Sequence, residues 1–137
     1  MNNETGKTEK RNYKVILLDT NTLIYLRNGQ LNDKLIDELR ETTLDTCSIV
    51  VMEVLGYKYI DQEDESYFRD LLDTMKDHPL NKEVTEKVIE LRRTINVKLP
   101  DAIIAATALV NNLVLWSHNI SDFSNIPGLK IFDPLKI

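Results

Sequence analysis

A single cysteine, Cys47, stands in the 137 residues, which excludes an intrachain disulfide and a cysteine-rich zinc site. Histidine is almost as scarce. His78 and His118 are the only two, and neither stands at ligand spacing from another, so each reads as structural or solvated. Long apolar runs are absent: nothing approaches the roughly 20 residues needed to cross a bilayer, and the amino terminus lacks a signal-peptide core. The expectation is a soluble, cytoplasmic protein with no membrane partner. There is no internal repeat, low-complexity tract or interdomain linker. An excess of positive charge is missing too, with 17 basic against 22 acidic residues and a formal charge of −5. Such a chain does not hold nucleic acid by overall electrostatics, because that binding is driven by neutralising phosphates. A nucleic-acid enzyme of this charge needs a local basic rim, a bound cation or a basic partner.

What is present suits one domain, since a chain of this length buries roughly two-thirds of its unfolded surface. Residues 1–12 are polar and without apolar period and read as a flexible tail, leaving 13–137 as the domain. Val15-Ile16-Leu17-Leu18 reads as a buried strand running into Asp19, and Thr20, Asn21 and Thr22 are cap types for a helix over about Thr22 to Arg27. Leu31, Leu35, Ile36 and Leu39 recur at helical spacing. Thr46-Cys47-Ser48-Ile49 is β-compatible, and Ser48 is placed to cap a helix through Tyr57. An acidic run at 61–65, read as a solvated face, precedes a helix marked by Tyr67, Phe68, Leu71, Leu72 and Met75. His78-Pro79-Leu80 is a short strand or connector, and Asn81 caps a helix through Ile95. Pro100 and Asp101 open a further helix, apolar all round to Val110. Leu113 to Ser117 is a second buried strand, and Leu129 to Phe132 a last short one. Strands alternating with helices predict an α/β fold with a mainly parallel sheet.

Three acids stand out, each for its own reason. Asp19 ends a buried strand; a helix cap is the bland alternative. Glu53 has Ile49, Val50, Gly56, Tyr57 and Ile60 on its helix face, so it is expected to be buried or at a cleft wall. Asp101 opens a buried helix, where the dipole favours an anion. Inward-facing carboxylates repel unless a cation lies among them, and hard oxygen ligands suit Mg²⁺ or Mn²⁺. The chemistry such a site supports is phosphoryl transfer.

These residues resemble the PIN-domain nucleases, and among them the VapC-type toxins of prokaryotic toxin–antitoxin pairs. Ile16-Leu17-Leu18-Asp19-Thr20-Asn21 looks like the opening motif, Ser48 to Val54 the second, and Leu99 to Leu109 the third. Leu115 to Phe123, with Ile126-Pro127-Gly128-Leu129, is similar to the fourth. Any one motif is weak; four in order within 137 residues are specific. The resemblance implies a three-layer domain whose central sheet is flanked by helices, and Mg²⁺- or Mn²⁺-dependent endoribonuclease activity on RNA. It also implies a homodimer and inhibition by a cognate antitoxin. Asp19, Glu53, Asp101 and Asp122 are the candidate catalytic residues, with Asp19 and Asp101 the metal ligands. One departure is the nearer acid position of the fourth motif, where Asn119 stands and contributes no charge. Asp122 then completes the site, or caps the turn before Phe123.

Asn21, Ser117 and Asn119 are supporting candidates: Asn21 through a hydrogen bond to Asp19 or a bound water, Ser117 by orienting ligands at a strand end. Arg92, Arg93 and Lys98 gather near a helix end, either as a rim for RNA phosphates or as a response to the helix dipole. Two competing readings remain. An aspartyl-phosphate phosphatase or receiver domain is weakened by the lack of an acid two residues after Asp19. A degenerate module that only binds a partner is motivated by Asn119 and the negative charge.

Overall fold

Strand β1 (Val15–Leu18) is the middle of the sheet, and its near-total burial explains its uninterrupted aliphatic sequence. A strand covered on both faces has no polar side to display. The computed structural model describes residues 15–136; the tail expected over 1–12 lies outside them. In chain order there follow α1 (Thr20–Arg27), α2 (Asp33–Arg40), β2 (Thr43–Cys47), α3 (Ser48–Leu55), α4 (Gln62–Asp73) and β3 (Lys76–His78). Then come α5 (Lys82–Thr94), α6 (Leu99–Asn111), β4 (Val114–Trp116), α7 (Ile120–Phe123) and β5 (Ile131–Phe132).

The five strands lie in the order β3-β2-β1-β4-β5, and every pairing is parallel. Helices flank the sheet in a three-layer α/β arrangement. The chain builds outward from β1 to β3 on one side, then returns across the sheet to lay β4 on the other side of β1. Strand order therefore reverses between β1 and β4. In an open α/β sheet the loops diverge at such a point and leave a crevice beyond the carboxyl ends of the strands.

Local chemistry accounts for the element ends. Asn32, Asp61 and Asn81 each cap a helix, accepting from Leu35, Asp64 and Val84 N–H at 2.8–2.9 Å. The acidic run after Asp61 becomes the first turn of α4, where the dipole favours it; Asp64 also pairs with Arg27 at 2.9 Å, and Arg27 lies 4.5 Å over the Tyr67 ring. Ser48 proves to be the first residue of α3, with Cys47 at the cap position and no side-chain cap bond. Helix α6 is as buried as its sequence implies: Ala102 and the run Ile104 to Ala108 are all within a few per cent of complete burial, and α5 packs along it. It ends at Asn112, whose φ of 56° is left-handed, a conformation asparagine tolerates better than most residues.

Candidate active site

Asp19 stands at the switch point, beyond the carboxyl ends of β1 and β4. The first residue past β1, it is 4% exposed, and its N–H donates to Trp116 O at 3.2 Å. Its Oδ1 accepts the Thr22 N–H at 2.8 Å, which makes Asp19 the cap of α1. Thr22, fully buried, donates its own Oγ1–H to Trp116 O at 3.0 Å. The turn is thereby stitched to the end of β4. The bland reading of Asp19 is correct for one oxygen, while Oδ2 makes no hydrogen bond among the described residues. Cap and crevice acid are one side chain.

Glu53 departs from expectation. It is exposed rather than buried, and its Oε1 accepts from Oγ1 of Thr20, the residue after Asp19, at 2.6 Å. The apolar neighbours misled because Met52 and Tyr57 are each 61% exposed and Tyr59 75%. This side of α3 and its following loop is an uncovered apolar surface. Thr20 is the member the sequence did not single out; as one of three cap-type residues in a row, it carried no separate signal.

Asp101 stands half-buried in the first turn of α6, with Lys98 at the cap position and Pro100 between them. Burial pushes its carboxyl up, and the neighbouring Asp122 carboxylate adds to that; Lys98 pulls it down, while Glu53 and Asp19 push it up again. Asp19, Glu53 and Asp122 come from three other parts of the chain, and each acts against the ionisation of Asp101. The four acids therefore lie close enough for the other three to bear on Asp101. Neither Asp101 nor Asp122 makes a side-chain hydrogen bond among the described residues.

The remaining candidates divide. Ser117 is fully buried, and its Oγ accepts the Asn119 N–H at 3.1 Å, so it shapes the turn into α7. Asn119 holds the cap position of α7 without a side-chain cap bond, and its carbonyl accepts the Asp122 N–H at 3.1 Å. Between the two fourth-motif positions, Asp122 is the one that acts on Asp101. Asn21 is exposed in the first turn of α1 and makes no hydrogen bond to Asp19. Arg92 donates from Nη1 to Val97 O at 2.8 Å, closing the α5–α6 connection. Arg93 shares a shallow groove on α5 with Glu86 and Glu90. Of the three basic candidates, Lys98 is the one acting on Asp101.

Among the described residues, no three acidic, histidine or cysteine side chains are close enough to enclose an ion by themselves. Magnesium does not require that, since it retains several waters and takes one or two carboxylates directly. Asp19 Oδ2 and the unbonded carboxylates of Asp101 and Asp122 are hard oxygen donors, and their mutual repulsion is what a cation relieves. The donor set fits such an ion.

The raised carboxyl has a consequence for stability. The folded state holds the Asp101 proton more tightly than the unfolded chain, so its contribution is fully present below the ordinary value of 3.8 and is lost as pH rises through the raised folded value. Without divalent cation, Asp101→Asn is therefore expected to gain melting temperature over the parent as pH climbs from below 3.8 toward neutrality. Added Mn²⁺ should narrow the difference. Thermal melts across pH check this, and an advantage of the variant that shrinks with rising pH contradicts it.

The family model of the PIN domain matches residues 16–129 of this chain. No curated protein matches it. Among solved structures, a toxin–antitoxin complex from Klebsiella pneumoniae contains a chain 34% identical, with a TM-score of 0.72, covering 89% of this chain and 99% of that one. VapBC-1 from nontypeable Haemophilus influenzae is similar at 24% identity and a TM-score of 0.74, covering 89% and 99%. DNA-bound VapBC from Salmonella typhimurium is similar at 22% identity and a TM-score of 0.74, covering 88% and 98%. The last two likenesses concern the fold.

Proposed function

The chain belongs to the PIN domain family, and from that membership and the convergence of its four acids we propose that it is a Mg²⁺- or Mn²⁺-dependent endoribonuclease, the VapC-type toxin of a toxin–antitoxin pair. The observation that carries the reading is that Asp19, Glu53 and Asp122, from separate parts of the chain, each act against the ionisation of Asp101, with Asp19 at the switch point of the sheet. The partner is inferred from the solved toxin–antitoxin complexes to which the chain is similar. A homodimer in the cytoplasm completes the proposal. Among the described residues, no helix is long and apolar enough to cross a membrane.

Asp19 and Asp101 are the residues that would hold the ion. A divalent cation, when bound, lowers the pKa of a water and neutralises charge on the scissile phosphate. The chain's own residues do the positioning. The cap bond to Thr22 fixes the Asp19 carboxylate, and the Thr20 hydroxyl orients Glu53. Glu53 and Asp122, both exposed, are placed to hydrogen-bond water in the crevice. Lys98 offsets part of the negative field that an approaching RNA phosphate would meet.

The test is cleavage of RNA by the purified protein with Mg²⁺ or Mn²⁺, with chelator, and with the product of an adjacent small gene. Expected are cleavage that chelator stops, Mn²⁺ restores and the copurifying partner silences. Cleavage indifferent to chelator would overturn the metal-dependent reading. Asn119 and the absence of an ion-enclosing cluster among the described residues favour the alternative of a binding-only module. Calorimetry separates the two: no heat of Mn²⁺ binding, together with no cleavage, supports the module.

A further inference from the structure

His118 follows Ser117 just past the end of β4 and has no part in the proposed cleavage. The registers Leu18↔Trp116 and Trp116↔Phe132 put Asp19, Ser117 and Asp133 level with one another, each the first residue past its strand, and His118 is one residue further on. The Asp133 side chain is only 9% exposed, and both of its oxygens lie 3.1 Å from His118 Nδ1. Its Oδ1 also accepts the Leu135 N–H at 3.0 Å, which fixes the carboxylate in place. Tyr25 of α1 packs edge-on against the imidazole, with ring centroids 6.2 Å apart and planes at 78°. The ring is thus clamped from two sides. Its side chain is nevertheless 41% exposed, and Nε2 makes no hydrogen bond among the described residues.

This clamp has a chemical consequence. A carboxylate only accepts, so Nδ1 carries the hydrogen, and in that tautomer Nε2 is the acceptor of the ring. Such an atom repels a phosphate oxygen, which is also an acceptor. Along a sugar–phosphate backbone, the hydrogen-bond donor on offer is the ribose 2′-hydroxyl, the group that distinguishes RNA from DNA. We propose that His118 Nε2 accepts a hydrogen bond from a 2′-hydroxyl of the bound strand, with Asp133 and Tyr25 as its positioning residues, and so contributes to preference for RNA. The inference rests on the ribonuclease reading. Hydrolysis by a metal-activated water does not itself consume a 2′-oxygen, so a ribose requirement calls for a reader of this kind.

The experiment walks a single 2′-deoxy substitution along an RNA that the wild-type protein cleaves, and compares kcat/KM for wild type, His118→Ala, His118→Gln and Asp133→Asn. One position is expected to lower wild-type kcat/KM by up to about tenfold, the scale of one hydrogen bond. His118→Ala should lose a similar factor on all-ribose RNA and become indifferent to that one substitution, because two changes that remove the same contact do not add. Glutamine, with its own acceptor oxygen, should recover part of the sensitivity, and Asp133→Asn should lose part of it. Unchanged sensitivity in His118→Ala overturns the inference, as does a loss equal at every substituted position. Thermal melts confirm that each variant is folded, and glutamine keeps the test decisive if the alanine variant is not. A wild type that cleaves no RNA removes the ribonuclease reading and the inference together, whereas cleavage indifferent to every ribose removes the inference alone.

Discussion

Asp19→Asn and Asp101→Asn are each expected to lower RNA cleavage by at least about 10²–10³-fold, the scale seen when one preorganised charge-stabilising group is lost from a site. Both should leave the fold intact. Asparagine is as good a helix cap as aspartate, so Asp19→Asn can keep the Oδ1 bond to the Thr22 N–H while losing the charge. Alanine there would confuse the two roles, since loss of a cap alone costs about 1 kcal/mol. At Asp101 the amide removes a carboxylate that burial, Asp122, Glu53 and Asp19 already disfavour, so stability without metal should hold or rise. The combined signature is inactivity without destabilisation. Asn21→Ala is the contrast: exposed and unbonded, it should change the rate by no more than a few fold. Cleavage assays at saturating Mn²⁺, paired with thermal melts, test all three. Either amide variant retaining full activity would remove its acid from the metal site.

The parts legible in advance are those where hydrophobicity alone decides. The run Val15–Leu18 has no polar face, and neither does α6, so both had to lie inside, and the acids at their ends were thereby located. Glu53 was misjudged for the same reason in reverse. The residues around it are apolar, but Met52, Tyr57 and Tyr59 are uncovered, and residue type does not distinguish a core from an uncovered apolar surface. For Asp122 the sequence left a site acid and a turn cap as alternatives, with the uncharged Asn119 at the nearer position of the motif. The turn through Ser117 and Asn119 into α7 is what brings Asp122 to act on Asp101. Both histidines had no visible partner in the sequence, because His118 meets an acid 15 residues away and His78 one 33 residues away. Such pairs depend on strand order, which no local pattern encodes.

His78→Ala is expected to cost about 3 kcal/mol of stability, the largest loss from any polar truncation in the sheet. His78 ends β3 and Asp45 lies in β2, 7% and 4% exposed, with Nε2 and Oδ2 2.5 Å apart. Beside them Asp45 Oδ1 and Thr46 Oγ1 are buried with no partner among the described residues. Removing the imidazole leaves both oxygens of a buried carboxylate without a partner there, and desolvation without compensation is the costly outcome. Asp45→Asn should cost less, because the amide keeps an acceptor for the ring, and the double variant Asp45→Val/His78→Leu should recover much of the loss, since no polar group then remains to be satisfied. Urea titration checks this through a lower midpoint at unchanged slope. A loss below about 1 kcal/mol would show that Asp45 is satisfied by other means, a buried water being the simplest. Two residues after Asp45, Cys47 begins the turn into α3, which carries Glu53. The pair therefore anchors the strand that delivers one of the four acids to the crevice. His78→Ala should then lose cleavage on warming at a lower temperature than wild type, in step with unfolding, while below that temperature its rate stays within a few fold.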